Sequence, residues 1–173
     1  MFALICILLC LSQSLFAQHT FYDFNHVGGG KVLTNPQVIK VIQGKQGFLW
    51  VGTQSGLQRY DGYDFVEYKH DPEDDASLAN NYIQSLFIDN SGGLWVGTFG
   101  GVLHQYHANT DNFTRYPFNK EKFSNMVVTA IDQYDDHTLW VAAYGGGLSQ
   151  FDLASKKFTL NYSHNPQDEH SLN

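Results

Sequence analysis

Tryptophan recurs in this chain at a fixed interval, Trp50, Trp95 and Trp140, each 45 residues from the next. Around the three stand FLWVGTQSGLQRYD, GLWVGTFGGVLHQYH and TLWVAAYGGGLSQFD, preceded at matching distance by VIKVIQGKQG, IQSLFIDNSG and VTAIDQYDDH. The registers agree without a gap from Val38, Ile83 and Val128 to the tryptophans, and a further element follows each: YDFVEYKHD, DNFTRYPFN or KKFTLNYSH, with one small length change in the first copy. Such a period constrains the fold more than any single motif. Each unit is one supersecondary element that buries its apolar face only by stacking on a neighbour.

Each unit holds four short runs of β-type residues separated by turn signals; in the second copy these are 83–88, 94–98, 102–106 and 113–118. LWV is apolar on both faces and belongs in the middle of packed sheets, whereas LHQYH alternates and has one wetter face. Four strands in roughly 40–45 residues is the size of a propeller blade. The expected fold is therefore all-β, three four-stranded antiparallel blades of an incomplete β-propeller, with a lead-in over 18–37 and blades over 38–82, 83–127 and 128–173. Its repeat framework is Trp50, Gly52, Thr53 and Gly56, then Trp95, Gly97, Thr98 and Gly101, then Trp140 and Gly146. The tryptophans are expected to wedge between sheets and the glycines to make turns. Propellers close with roughly four to eight blades, so three leave open edges and faces. The expected partners are therefore the remaining blades of a longer protein or a second copy of this chain.

Residues 1–17, MFALICILLCLSQSLFA, have the length and exit of a secretory signal peptide, with cleavage expected between Ala17 and Gln18. No basic residue precedes the apolar core, which points to a true start upstream of Met1. Both cysteines, Cys6 and Cys10, fall inside this segment, so the mature chain has no disulfide and must hold together by packing. Ten Lys and Arg against 17 Asp and Glu give a formal charge of −7, which argues against nucleic acid as a partner.

Chemical sites are weakly supported. His104 and His107 lie three apart, which on a strand places them on opposite faces, and the other copies carry Gln58 and Asp61 or Ser149 and Asp152 there, as expected of solvated strand positions rather than metal ligands. GGGK at 28–31 lacks the glycine and hydroxyl residues of a phosphate loop and is expected to be a flexible turn. The acidic run Asp71, Glu73, Asp74, Asp75 departs from calcium-loop spacing and returns as Asn165, Gln167, Asp168, Glu169, the mark of a solvated linker. No catalytic residue and no cofactor is expected. Ligand contacts are expected where the copies differ within the turns, at Gln54, Phe99 and Tyr144, the two aromatics being platforms for a sugar or another small molecule.

VIQGKQGFLWVGTQSGLQRYDG (41–62), FIDNSGGLWVGTFGGVLHQY (87–106) and IDQYDDHTLWVAAYGGGLSQFD (131–152) together resemble the two-component regulator propeller repeat of bacterial hybrid sensor proteins. The connector HDPEDDASLA at 70–79, which reappears as HNPQDEHSLN at 164–173, is similar to linkers between blades of that family. The resemblance implies a periplasmic sensor that binds an oligosaccharide or other ligand, joined through an inner-membrane helix to a histidine kinase or diguanylate cyclase absent from this chain. The alternatives are a free-standing exported propeller that binds carbohydrate or protein, or a propeller hydrolase or lyase.

Overall fold

The computed structural model describes residues 37–118 and 125–172; the leader with Ala17 and Gln18, the GGGK segment, and the lead-in before Gln37 lie outside them. β1 (Val38–Gln43), β2 (Leu49–Thr53), β3 (Gly56–Tyr60) and β4 (Phe65–Tyr68) form the first sheet. The second is β5 (Ile83–Ile88), β6 (Leu94–Thr98), β7 (Val102–His107) and β8 (Asn112–Pro117), and the third is β9 (Val127–Asp135), β10 (Thr138–Tyr144), β11 (Gly147–Asp152) and β12 (Lys157–Tyr162). Within each sheet sequential strands pair antiparallel, so the architecture is all-β with three four-stranded blades.

The first copy's length change lies partly in its central hairpin. Thr53 pairs with Gly56 across two residues, whereas Thr98 pairs with Val102 and Ala143 with Gly147 across three. Gly56, aligned by sequence with Gly101 and Gly146, therefore begins a strand while Gly101 sits in the turn itself. The Thr53 hydroxyl closes the short turn, donating to the Gly56 carbonyl at 2.9 Å and accepting from the Ser55 N–H at 3.0 Å.

Gly52 and Gly97 are not turn residues but lie within β2 and β6. Each faces the innermost strand of the next blade: a Cβ on Gly52 would stand 2.7 Å from Ile83 Cγ2, and one on Gly97 would stand 2.5 Å from Val128 Cγ1. Close stacking of successive blades excludes any side chain there. The Ser85 hydroxyl donates to the Val128 carbonyl at 2.8 Å across the same seam.

Two apolar clusters fill the gaps between sheets. Trp50 and Leu57 of the first sheet meet Leu86, Leu94, Val96, Tyr106 and Phe113 of the second, with Leu78 of the connector inserted among them. Trp95 and Leu103 of the second meet Val128, Leu139, Val141 and Phe151 of the third. Consequently β6 is buried along its whole length, while β2 and β10, in the outer blades, are not. Trp95 is fully enclosed; its indole N–H donates to Asp89 Oδ2 at 2.8 Å. Burial opposes the Asp89 charge, but the Ser91 hydroxyl, the Trp95 N–H and the Gly93 and Gly92 N–H groups outweigh it and hold the carboxyl below the usual carboxylate range. Trp140, in the corresponding place of the third blade, is only half-buried.

Each occupied seam also holds one cation over its tryptophan, supplied from opposite sides. At the first seam Arg59 of β3 lies 5.8 Å from the Trp50 ring and 3.1 Å from Asp111, which also accepts the Tyr68 hydroxyl at 2.6 Å and the Tyr106 hydroxyl. At the second, Lys156 of the following blade lies 5.2 Å from the Trp95 ring, and the place of Arg59 is taken by Gln105. Asp111 and Lys156 occupy the same turn position, both left-handed, with φ of 53° and 58°.

Truncating Trp95 to Ala is expected to cost about 3–5 kcal/mol, and Trp140→Ala roughly 1 kcal/mol, because only the first leaves a closed cavity. Urea unfolding of the two variants checks this; equal losses would show that the outer face of the third sheet is covered in solution.

Candidate ligand-binding face

The β2–β3, β6–β7 and β10–β11 turns and the connectors 69–82 and 163–172 emerge on the same side of their sheets. There the structure fixes the β6–β7 turn by backbone bonds to three segments. The Phe99 N–H donates to the Tyr82 carbonyl at 3.0 Å, the Gly100 N–H to Met126 at 2.8 Å, and the Phe118 N–H to Gly101 at 2.9 Å. Gly101, at φ 67°, has no room for a Cβ, which would stand 2.7 Å from Met126 Cβ. The segment is thus held jointly by its own blade and by the strand that opens the next.

Phe99 keeps 37% of its surface exposed, and its ring meets Tyr82 edge to face at 6.4 Å between centroids. The backbone of Val127 pairs with Phe99 on one side and with Tyr144 on the other. Phe99 and Tyr144 therefore stand about two strand spacings apart, roughly 10 Å. Tyr144 is 74% exposed. Gln54 is exposed in the shorter turn of the first sheet, and no bond joins it to the aromatic pair. Of the three turn residues singled out by sequence, the structure aligns two around Val127. It adds Tyr82, which the sequence reasoning missed. The signal was available, since Tyr82 is matched by Gln37 and Val127 in the other copies and so differs as the turn residues do. This side offers a partly apolar, partly ordered row of rings, of the kind that stacks on the flat face of a planar or pyranose ligand.

His104 does not fit the expectation of a solvated position. It is fully buried, and Gln58 and Ser149 at the matching places are each 1% exposed. These side chains point into the body of the blade, and in the second sheet the connector closes over the position. His104 Nε2 accepts the Ala79 N–H at 2.9 Å and Nδ1 donates to the Val96 carbonyl at 3.1 Å, which fixes a neutral tautomer. His107, by contrast, hydrogen-bonds Thr114 Oγ1 at 2.7 Å near the surface. No group of three or more His, Cys, Asp or Glu among the described residues is arranged to hold a metal ion.

The model of the two-component regulator propeller family matches residues 77–100, from the connector through the β6–β7 turn. Residues 77–100 thus match one copy of the two-component regulator propeller repeat. A 69-residue stretch, 40% of the chain, is 39% identical to Histidine kinase P4 of Formosa agariphila, of which it spans 5%. Two solved extracellular domains from B. thetaiotaomicron share the fold. That of the system BT4673 is 22% identical with a TM-score of 0.63, covering 83% of this chain and 19% of that domain. That of BT3049 is 22% identical with a TM-score of 0.50, covering 83% and 26%. The chain spans about a quarter or less of the length of each of these relatives.

Burial lowers the His104 pKa to about 4, against the hydrogen bond to Val96, and the nearby Arg115 charge adds to the lowering. The folded pKa lies below the unfolded value of about 6.5, so the unfolded chain takes up a proton first as pH falls. Stability is expected to be independent of this residue above pH about 6.5, and to drop by about 3 kcal/mol as pH falls towards 4. His104→Gln, which installs the first blade's residue, is expected to flatten that part of the profile. Thermal unfolding from pH 7 to 4 compares the two proteins, and coincident slopes would rule out His104 as the source.

Proposed function

We propose that this chain is the extracytoplasmic, ligand-sensing propeller region of a membrane-spanning signalling protein, located in the periplasm and coupled to a histidine kinase or diguanylate cyclase output. The observation that carries the reading is the β6–β7 turn, where exposed aromatic rings sit on backbone pinned to two successive blades. The regulator-propeller match over this turn, the kinase relative, and the extracellular origin of the structural neighbours support it. No helix among the described residues is long and apolar enough to cross a membrane, and the crossing and output parts of the proposal lie outside them.

The ligand we assign to this face is an oligosaccharide. The exposed rings of Phe99 and Tyr144 present apolar faces for stacking, while Asn80 and Asn81 of the connector, whose amide oxygens accept the Tyr82 and His70 N–H groups, supply their NH2 groups as the donors we assign to the ligand. A ligand that bridges Phe99 and Tyr144 contacts two blades at once. It binds more tightly to one relative arrangement of those blades, which is the differential affinity a sensor requires.

Isothermal titration of the chain with a panel of neutral and acidic oligosaccharides tests this. Phe99→Ala and Tyr144→Ala are each expected to weaken the best-binding glycan about tenfold, the loss of roughly 1.4 kcal/mol, with an unchanged circular dichroism spectrum. Binding indifferent to both substitutions would exclude this face, and no binding across the panel would exclude a carbohydrate ligand.

A further inference from the structure

The two connectors that share a sequence also share a core set of internal hydrogen bonds. In the first, His70 Nδ1 pairs with the Leu78 carbonyl at 2.7 Å, and the Asp71 N–H donates to Ser77 Oγ at 2.9 Å. The Asp71 carboxylate accepts the Glu73 N–H at 2.9 Å, and that of Asp74 accepts the Ala76 N–H at 2.8 Å. In the second, His164 pairs with Leu172 at 2.8 Å, and Asn165 with Ser171 at 2.9 Å. Asn165 Oδ1 accepts from Gln167 at 3.1 Å, and Asp168 Oδ1 from His170 at 3.0 Å. Each loop is held by its own side chains, with the serine hydroxyl at its centre donating to the backbone of residue 71 or 165 at 3.0 Å.

What differs is what each loop grips. The first wraps the guanidinium of Arg115 on β8. Its Nε donates to the Ser77 carbonyl at 2.8 Å, and Nη2 to the Asp74 carbonyl and Ser77 Oγ at 2.8 Å and to the Leu78 carbonyl at 3.1 Å; Nη1 meets Asp75 at 3.1 Å. Planar, five-donor geometry is what such a set of converging carbonyls recognises. Leu78 beside it is fully buried between the sheets, whereas its counterpart Leu172 is 42% exposed. The second loop keeps every acceptor: the carbonyls of Asp168, Ser171 and Leu172, the Ser171 hydroxyl, and a carboxylate at Glu169. The adjoining face of the third sheet is apolar and open, with Leu160 and Tyr162 each 49% exposed beside the half-buried Trp140.

We infer that the loop 164–172 is an arginine receptor, and that the open face of the third sheet docks a further β-blade bearing an arginine on its outermost strand, where β8 carries Arg115. Two more features of that blade follow. Gln150 stands where Gln105 does, so a cation in the blade's last turn, as Lys156 is, complements Trp140. Ala142 stands where Gly52 and Gly97 admit Ile83 and Val128, which calls for a smaller side chain at the start of the blade's inner strand. The first sheet of a second copy does not meet this description. Glu67 pairs with Gln58 as Arg115 pairs with His104, so it would aim a carboxylate at the carbonyls, and Asp61 and Asp64 frame the turn where the cation belongs.

The test extends the chain, carrying Ala142→Gly, with a second copy of residues 80–118 after Asn173 in which Asp111 is replaced by Lys. The extension is expected to raise the thermal midpoint by several degrees and to slow hydrogen exchange at 164–172. Glu in place of the arginine of the added blade is expected to cancel both gains. Equal gains with Glu at that position overturn the proposal. Should the added blade fail to fold, Glu67→Arg together with Tyr63→Lys and Ala142→Gly in the unextended chain gives its first sheet the groups it lacks. Sedimentation velocity is then expected to show head-to-tail association absent from the parent and abolished by Leu172→Asp. An unchanged sedimentation profile overturns the proposal equally.

Discussion

A four-stranded blade has two apolar faces and covers neither by itself. Every feature that fixes this structure follows from the need to stack one blade on the next at close range. Glycine within β2 and β6 lets the inner strand of the following blade approach to van der Waals contact, and the tryptophan beside it fills the widening outer part of the same gap. Among the described residues, only the second sheet has both faces covered, and only β6 is buried from end to end. Burial here is a property of position in the stack, which is why three nearly identical LWV segments have three different exposures.

Apolar stacking says little about which blade follows which, because each seam is built from matching positions of the repeat. The polar groups differ from seam to seam. Arg59 with Asp111 serves the first, while Gln105 with Lys156 serves the second, each placing a single cation over a tryptophan ring. Exchanging Asp111 for the lysine found one blade later would set two cations against each other beside Trp50. Exposed pairs of this kind add little to stability, but a mismatch of like charge is a penalty, and penalties are what give a repeated fold a defined order.

The 45-residue tryptophan interval, together with the turn glycines, made the blades and their strands legible in the sequence. Stacked sheets impose a periodic apolar pattern, and periodicity survives in one dimension. What the sequence hid were contacts made once. Nothing in a single copy announces that Asp89 accepts the Trp95 indole, since the other copies carry Gly44 and Tyr134 there. His104 looked solvated because alternation along β7 suggests a wet face, whereas the connector folds back over it and supplies the Ala79 N–H. The connector itself looked like a charged linker, and its charges do face water, but its side chains spend their oxygens on its own backbone. At the candidate ligand face, difference between copies points to Phe99 and Tyr144; that Val127 joins them depends on a bridge between blades.

On the sensing role proposed above, that bridge bears on how a ligand would be reported. The β6–β7 turn is bonded to the connector ahead of its own blade, at Tyr82, and to the segment that opens the next, at Met126. A ligand that draws Phe99 towards Tyr144 therefore acts on the seam between the second and third sheets. That seam is lined on its inner edge by Gly97, Ser85 and Val128, where contacts are already as close as packing allows. Close-packed seams do not deform continuously. In that proposed role, a displacement at the turn would be relieved by small rigid rotations of whole blades, which the stacked sheets would pass from neighbour to neighbour because each blade touches only the next.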